Sequence, residues 1–151
     1  MPLTNVQFAS ILEDSSKQIE GDIGWVEDED HSPVLEFRAE VRSDSGWPLF
    51  VRGSYNCLAG ALTYALILKP EGRIYALDMG KDHHNRACTP VGENHKHCWS
   101  ERFRDKEAYQ PQDITAPLSD PVAVWAQFCE EARIVHRGNL ARPAPQEELF
   151  L

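Results

Sequence analysis

Leu35, Phe37, Ala39 and Val41 alternate with Glu36, Arg38, Glu40 and Arg42. A repeat of two residues is the signature of a β-strand, so this stretch has one face for a core and one for water. The chain is thereby committed to a sheet whose apolar side needs a cover. Ser43-Asp44-Ser45-Gly46 supplies turn chemistry, and Leu49 to Tyr55 reads as a second strand. Leu62 to Leu68 is apolar on both faces and reads as a central, covered strand. Pro70-Glu71-Gly72-Arg73 makes a turn into a further strand, Ile74 to Met79. Consecutive strands joined by short turns predict an antiparallel meander.

Helices are expected at both ends. Thr4-Asn5-Val6-Gln7 matches a capping box, Phe8, Ile11, Leu12 and Ile19 recur near helical spacing, and Gly21 is a stop. Ser119-Asp120-Pro121 starts a second helix, with Val122, Trp125, Phe128, Cys129 and Ala132 as its apolar stripe. The prediction is an α+β fold: an antiparallel β-meander of about five strands covered by an N-terminal and a C-terminal helix. Residues 1–140 form a single domain and 141–151 a loose C-terminal tail, while the run Val26 to Asp30 is a solvated loop or edge.

At 151 residues the chain can bury a core without staples, and it has no apolar run of membrane-spanning length. The N-terminus lacks the basic and apolar regions of a secretory signal, so a cytoplasmic location is expected. Cys57, Cys88, Cys98 and Cys129 lack framework spacing and read as thiols or metal ligands; Cys57 and Cys129, in apolar company, read as inert core thiols. His31 and His136 stand alone and read as surface residues. There is no P-loop, dinucleotide fingerprint or nucleophile elbow.

Chemistry concentrates in one place. Four of the six histidines, His83, His84, His95 and His97, fall within fifteen residues. Lys81 to Lys106 carries six Lys/Arg against four Asp/Glu, whereas the rest of the chain carries nine against twenty. An acidic body argues against broad nucleic-acid binding, but not against a small anionic group at the basic segment. His95 to Trp99 reads as extended, with His95, His97 and Trp99 on one face and Lys96 and Cys98 on the other. If that strand pairs antiparallel with the one ending at Asp78, a symmetric register brings Asp78 opposite His95. The connection 80–94 then leaves and rejoins the same end of the sheet, with His83 and His84 over it.

Three chemical readings follow, beside the bland one of a polar surface loop anchored by Trp99 and Phe103. In metal-free acid–base chemistry two imidazoles cleave RNA, one activating the 2′-hydroxyl and one protonating the leaving oxygen. The catalytic candidates are then His83, His84, His95, His97, Asp78 and Lys96, with Lys81, Arg86, Asn85 and Trp99 binding substrate. No cofactor is needed. In the alternative, His84, Cys88, His95 and His97 hold zinc, as a binding module or as a metal-dependent hydrolase with Asp78, Asp82 or Glu93 assisting. The third reading is an acidic interaction or inhibitor protein without catalysis. Oligomeric state is left open.

Asp78-x-Gly80-Lys81-Asp82-His83-His84-Asn85, then Gly92-Glu93-x-His95-Lys96-His97-x-Trp99 and Arg104-Asp105-Lys106-Glu107-Ala108-Tyr109, resembles an uncharacterised family of small bacterial proteins. The likeness covers roughly the C-terminal half, to about Arg133. More loosely, the segment is similar to toxin–antitoxin proteins that place a His-His-Lys-His-type cluster after a β-meander, with Asn-His-Lys-His here instead. That likeness implies a nucleic-acid-directed, toxin-like role; joined to the acid–base reading it gives the expectation of a toxin-like or phage-defence nuclease acting on RNA, with a cognate antitoxin or other protein as partner.

Overall fold

The computed structural model describes residues 3–28, 34–80 and 114–143 in full, and 95–98 and 108–109 by their backbone. Helix α1 (Asn5–Glu13) opens on the predicted capping box. Thr4 Oγ1 accepts from the Gln7 N–H at 3.1 Å, and Gln7 Oε1 accepts from the Thr4 N–H at 2.9 Å. The helix stops at Glu13, well short of the predicted Gly21. Asp14 Oδ1 accepts from the Ser16 N–H at 2.9 Å and from the Ser16 hydroxyl at 2.6 Å, a local turn that competes with helix. Lys17 then folds back, its Nζ donating to the carbonyls of Ile11, Leu12 and Asp14. Ile19, expected on the helix, is instead a core residue of strand β1 (Gln18–Glu20).

Strands β2 (Val26–Glu27), β3 (Leu35–Val41), β4 (Leu49–Asn56), β5 (Ala61–Leu68), β6 (Gly72–Met79), β7 (His95–Cys98) and β8 (Ala108–Tyr109) form one seven-stranded sheet in sequence order. Every pair is antiparallel. The five predicted strands are β3 to β7, and a two-residue strand extends the meander at each edge. Val26 and Glu27 from the acidic run supply one of these edges.

Helix α2 (Pro121–Ala132) covers the inner face. Asp120 caps it, accepting from the Ala123 N–H at 3.1 Å, and Pro121 occupies the first turn. Its buried stripe is Val124, Trp125, Phe128, Cys129 and Ala132, with Val124 in place of the expected Val122. Tyr64, at the centre of β5, donates its hydroxyl to the Pro121 carbonyl at 2.7 Å and fixes helix to sheet. Trp125 meets Tyr64 and Phe37 edge-on at 5.1 and 5.5 Å, geometry that adds to the burial of area. Leu3 and Ile11 from the N-terminal end join the same core.

After α2, strand β9 (Val135–Arg137) pairs in parallel with β1. There His136, expected as a lone surface residue, is half-buried and held at both ring nitrogens. Nδ1 accepts from Trp125 Nε1 at 3.1 Å, and Nε2 lies 2.8 Å from the Gly21 carbonyl, so the hydrogen resides on Nε2. Cys129 is a core thiol as expected, and burial pushes it up to about 12, whereas Cys57 is only half-buried. Ala141, where a loose tail is expected to begin, is tied to the body. Its N–H donates to the Ile23 carbonyl and its own carbonyl accepts from Trp25 Nε1, both at 2.9 Å. The rest of that tail from 144 lies outside the described residues. Among the described residues no helix is long and apolar enough to cross a membrane.

Candidate functional site

Side chains directly opposite each other in an antiparallel pair share a face, so the register sorts the outer face into rows. One row runs Glu36, Ser54, Thr63, Asp78, His95 across β3 to β7. The next runs Arg38, Arg52, Ala65, Ala76, His97. The predicted partnership of Asp78 with His95 is the observed register. His97 lies two residues along the same strand, about 6.6–6.8 Å away on the same face.

Asp78 is a buried carboxylate. Its Oδ1 accepts from the Thr63 hydroxyl at 2.6 Å, and its Oδ2 lies 3.7 Å from Arg73 Nη1. Simple alternation along β6 would send Arg73 to the inner face. A bulge prevents this: Leu66 pairs with Tyr75 and Ile67 with Arg73, so Ile74 is the extra residue. The bulge flips the parity of the strand and returns Arg73 to the face of Asp78. Both Ile74 and Tyr75 are buried.

Asp78 forms one wall of an open hollow of about 600 Å³ on the outer face. Phe50, Ala65 and Ile67 make its apolar floor, Ser54 and Thr63 offer hydroxyls, and Arg52, Arg73 and Glu36 bring charge. An apolar concavity with a few convergent polar groups is the usual form of a ligand site. β5 is central, as expected, yet it is not covered on both faces: Thr63 and Ile67 are half-buried and line the hollow.

Gly80 ends β6 with φ +86°, beside the Gly60 carbonyl that precedes β5. A Cβ at Gly80 would collide with that carbonyl, which gives the glycine of the Asp78-x-Gly80 pattern a steric reason.

Of the residues singled out from sequence, the fold brings Asp78, His95 and His97 to one face of adjacent strands. Lys96 is not with them: it pairs with Leu77, a core-face residue, and so belongs to the opposite face. Lys81, Asp82, His83, His84, Asn85, Arg86, Cys88, Glu93 and Trp99 lie outside the described residues. Among the described residues no group of three or more His, Cys, Asp or Glu is placed to hold a metal ion. Sequence reading missed Thr63, Ser54, Arg52 and Arg73. The sequence places Arg73 in the turn, and it carries no sign of the bulge, because Ile74, Tyr75, Ala76 and Leu77 form one unbroken apolar run.

A family model described as "Family of unknown function (DUF6978)" matches residues 58–134, from just after β4 to just after α2. No curated protein and no solved structure matches the chain.

Proposed function

The chain belongs to this family of unknown function, and from that premise we propose that it cleaves RNA by metal-free histidine acid–base chemistry on the outer face of the sheet. The observation that carries the reading is the Asp78–His95 register at the wall of a hollow rimmed by arginines. A carboxylate beside an imidazole fixes its tautomer and stabilises its protonated form. Asp78 is itself anchored by Thr63 and Arg73, so it can act as a fixed positioning residue.

In this scheme His95 takes the proton of a 2′-hydroxyl, the 2′-oxygen attacks phosphorus, and the bond to the 5′-oxygen breaks. His97 gives that leaving oxygen its proton. The products are a 2′,3′-cyclic phosphate and a free 5′-hydroxyl. Arg73, held beside Asp78, takes the charge-stabilising role that the sequence assigned to Lys96, because it shares the outer face with His95. The likeness to toxin–antitoxin proteins supports the same reading and adds a cytoplasmic, toxin-like role with a cognate antitoxin as the silencing partner.

The test is cleavage of an RNA oligonucleotide by the full chain in excess chelator. The expected result is a 2′,3′-cyclic phosphate product, with no cleavage where the 2′-hydroxyl is replaced by hydrogen. Activity that needs stoichiometric zinc would replace this mechanism with the metal-dependent one. A folded chain that leaves RNA intact and captures one protein partner would replace it with the interaction reading.

A further inference from the structure

Arg38 and Arg52 are direct partners across β3 and β4, and both are exposed on the outer face. Like charges directly opposite each other destabilise a sheet, so such a pair needs a reason. Arg38 is partly compensated. Its Nε and Nη2 donate to Glu40 Oε1 at 3.3 and 3.1 Å, and its guanidinium lies 3.8 Å from the centre of the Phe50 ring. Glu40 in turn is held by Lys69 at 2.9 Å, and these cations keep its carboxyl below the ordinary range. Arg52 has no carboxylate within ion-pair distance among the described residues. Glu36, one row away, forms no ion pair with it. Arg52 also lies where two hollows meet: the one walled by Asp78, and a second of about 450 Å³ bordered by Arg38, Phe50 and Val26, with the Glu36 carboxylate lining both.

An uncompensated arginine facing a second arginine, in a chain of net charge −9, is a local inversion of the protein's overall sign. The uncommitted guanidinium fork of Arg52 suits a phosphate, whose oxygens accept paired N–H bonds, and Arg38, its strand partner, adds positive charge beside it while two of its N–H groups are given to Glu40. The stacked Arg38–Phe50 unit beside it presents a planar cation on which a nucleobase can lie. We propose that Arg38 and Arg52 form a second phosphate subsite, which grips single-stranded RNA at a nucleotide remote from the cleaved bond. The proposal rests on the RNA reading above and extends it. Three strand spacings separate Arg52 from His97, about 14 Å, so the subsite engages a neighbouring phosphate and not the reacting one.

The experiment uses the full chain and a fluorescent 2′-O-methyl oligonucleotide, which cannot be cleaved by attack of the 2′-hydroxyl. Binding is followed by anisotropy over a range of salt. Wild type sets the reference affinity and salt slope. Arg52→Gln should bind about tenfold more weakly, and its slope of log K against log salt should be shallower by about 0.7, one phosphate contact on a single strand. The unliganded Arg52→Gln protein should melt at the same temperature or about 1–3 °C higher, since a like-charge pair has been removed. Orthophosphate should compete only weakly, because it lacks the base and the second phosphate. Unchanged affinity and slope in Arg52→Gln, with wild type binding normally, would overturn the subsite and leave the RNA reading standing. Failure of wild type to bind the oligonucleotide would overturn both. Equal competition by orthophosphate would reduce the pair to a free-phosphate site and overturn the RNA assignment.

Discussion

Asp78 on β6 and His95 on β7 are direct partners in an antiparallel pair, and Asp78 is secured from the other side by the Thr63 hydroxyl at 2.6 Å. If Asp78 acts through His95, the two substitutions must not multiply. His95→Ala should slow RNA cleavage by about 10²–10⁴-fold. Asp78→Asn should slow it too, by up to about 10⁴-fold, the loss seen when the carboxylate that fixes a catalytic imidazole's tautomer is removed. Asp78→Asn placed in the His95→Ala background should add nothing. Independent, multiplying losses in single-turnover rates would separate the two residues and remove the positioning role.

Gly80 links this pair to the histidine connection and has no room for a side chain. Its φ of +86° is a conformation that other L-residues resist, and Gly60 backbone fills the space a Cβ would take. Gly80→Ala should therefore cost about 3 kcal/mol or more, which for a chain of this size lowers the melting temperature by roughly 6–12 °C. Gly46→Ala, also at positive φ but with open space around it, should cost less. Equal losses at the two positions would show that backbone conformation alone, and not the close approach to Gly60, sets the effect.

The meander was legible because its signals are local. Alternation in β3, turn chemistry between strands and the two helix caps each act within a few residues, and each was found. The Asp78–His95 register was legible for the same reason, since hairpin-like symmetry about the connection 80–94 leaves few ways to pair β6 with β7. What sequence did not show depends on distant partners. β9 pairs with β1 across more than a hundred residues, and two short runs of mixed polarity carry no sign of one another. Helix α1 ends before the Gly21 stop because Lys17, a surface residue by type, turns inward to satisfy helix carbonyls. The outer-face site was half seen. Asp78, His95 and His97 were named from their chemistry, whereas Arg73 reaches the hollow through a bulge and Arg52 through its register.

Phe37 and Gly53 are opposite partners on the inner face, and the Phe37 ring lies over the glycine where a Cβ would otherwise sit. The ring cannot move aside cheaply. Trp25 stands edge-on to it at 5.0 Å and Trp125 at 5.5 Å. Gly53→Ala should thus behave as an overpacked core position and cost about 1–3 kcal/mol by urea unfolding. Phe37→Leu vacates part of the ring's space, so Gly53→Ala should cost less in that background. Strict additivity of the two changes would mean that the contact is not what excludes a side chain at this position.

Lys17 is fully buried and donates to three carbonyls at the end of α1. Desolvation lowers its ammonium to about 8 from an ordinary 10.5; Asp14 opposes the shift and Arg133 assists it. Below about pH 8 the group is charged in both folded and unfolded chains, so it contributes no slope. Between about 8 and 10.5 the unfolded chain holds the proton that the folded chain releases, and stability gained from this group rises with pH. The rise is at most about 1.4 kcal/mol per pH unit. Cys129 and Tyr64 act in the opposite sense above about pH 9, because burial keeps both protonated in the fold. They are common to wild type and Lys17→Met and cancel in the difference. At pH 7 Lys17→Met should be less stable by about 1–3 kcal/mol, having left the helix-end carbonyls without their donor. The deficit should stay flat from pH 6 to 8 and widen from 8 to 10 in urea melts. A deficit that narrows over that upper range would mean the Lys17 ammonium is favoured, and not penalised, by its burial.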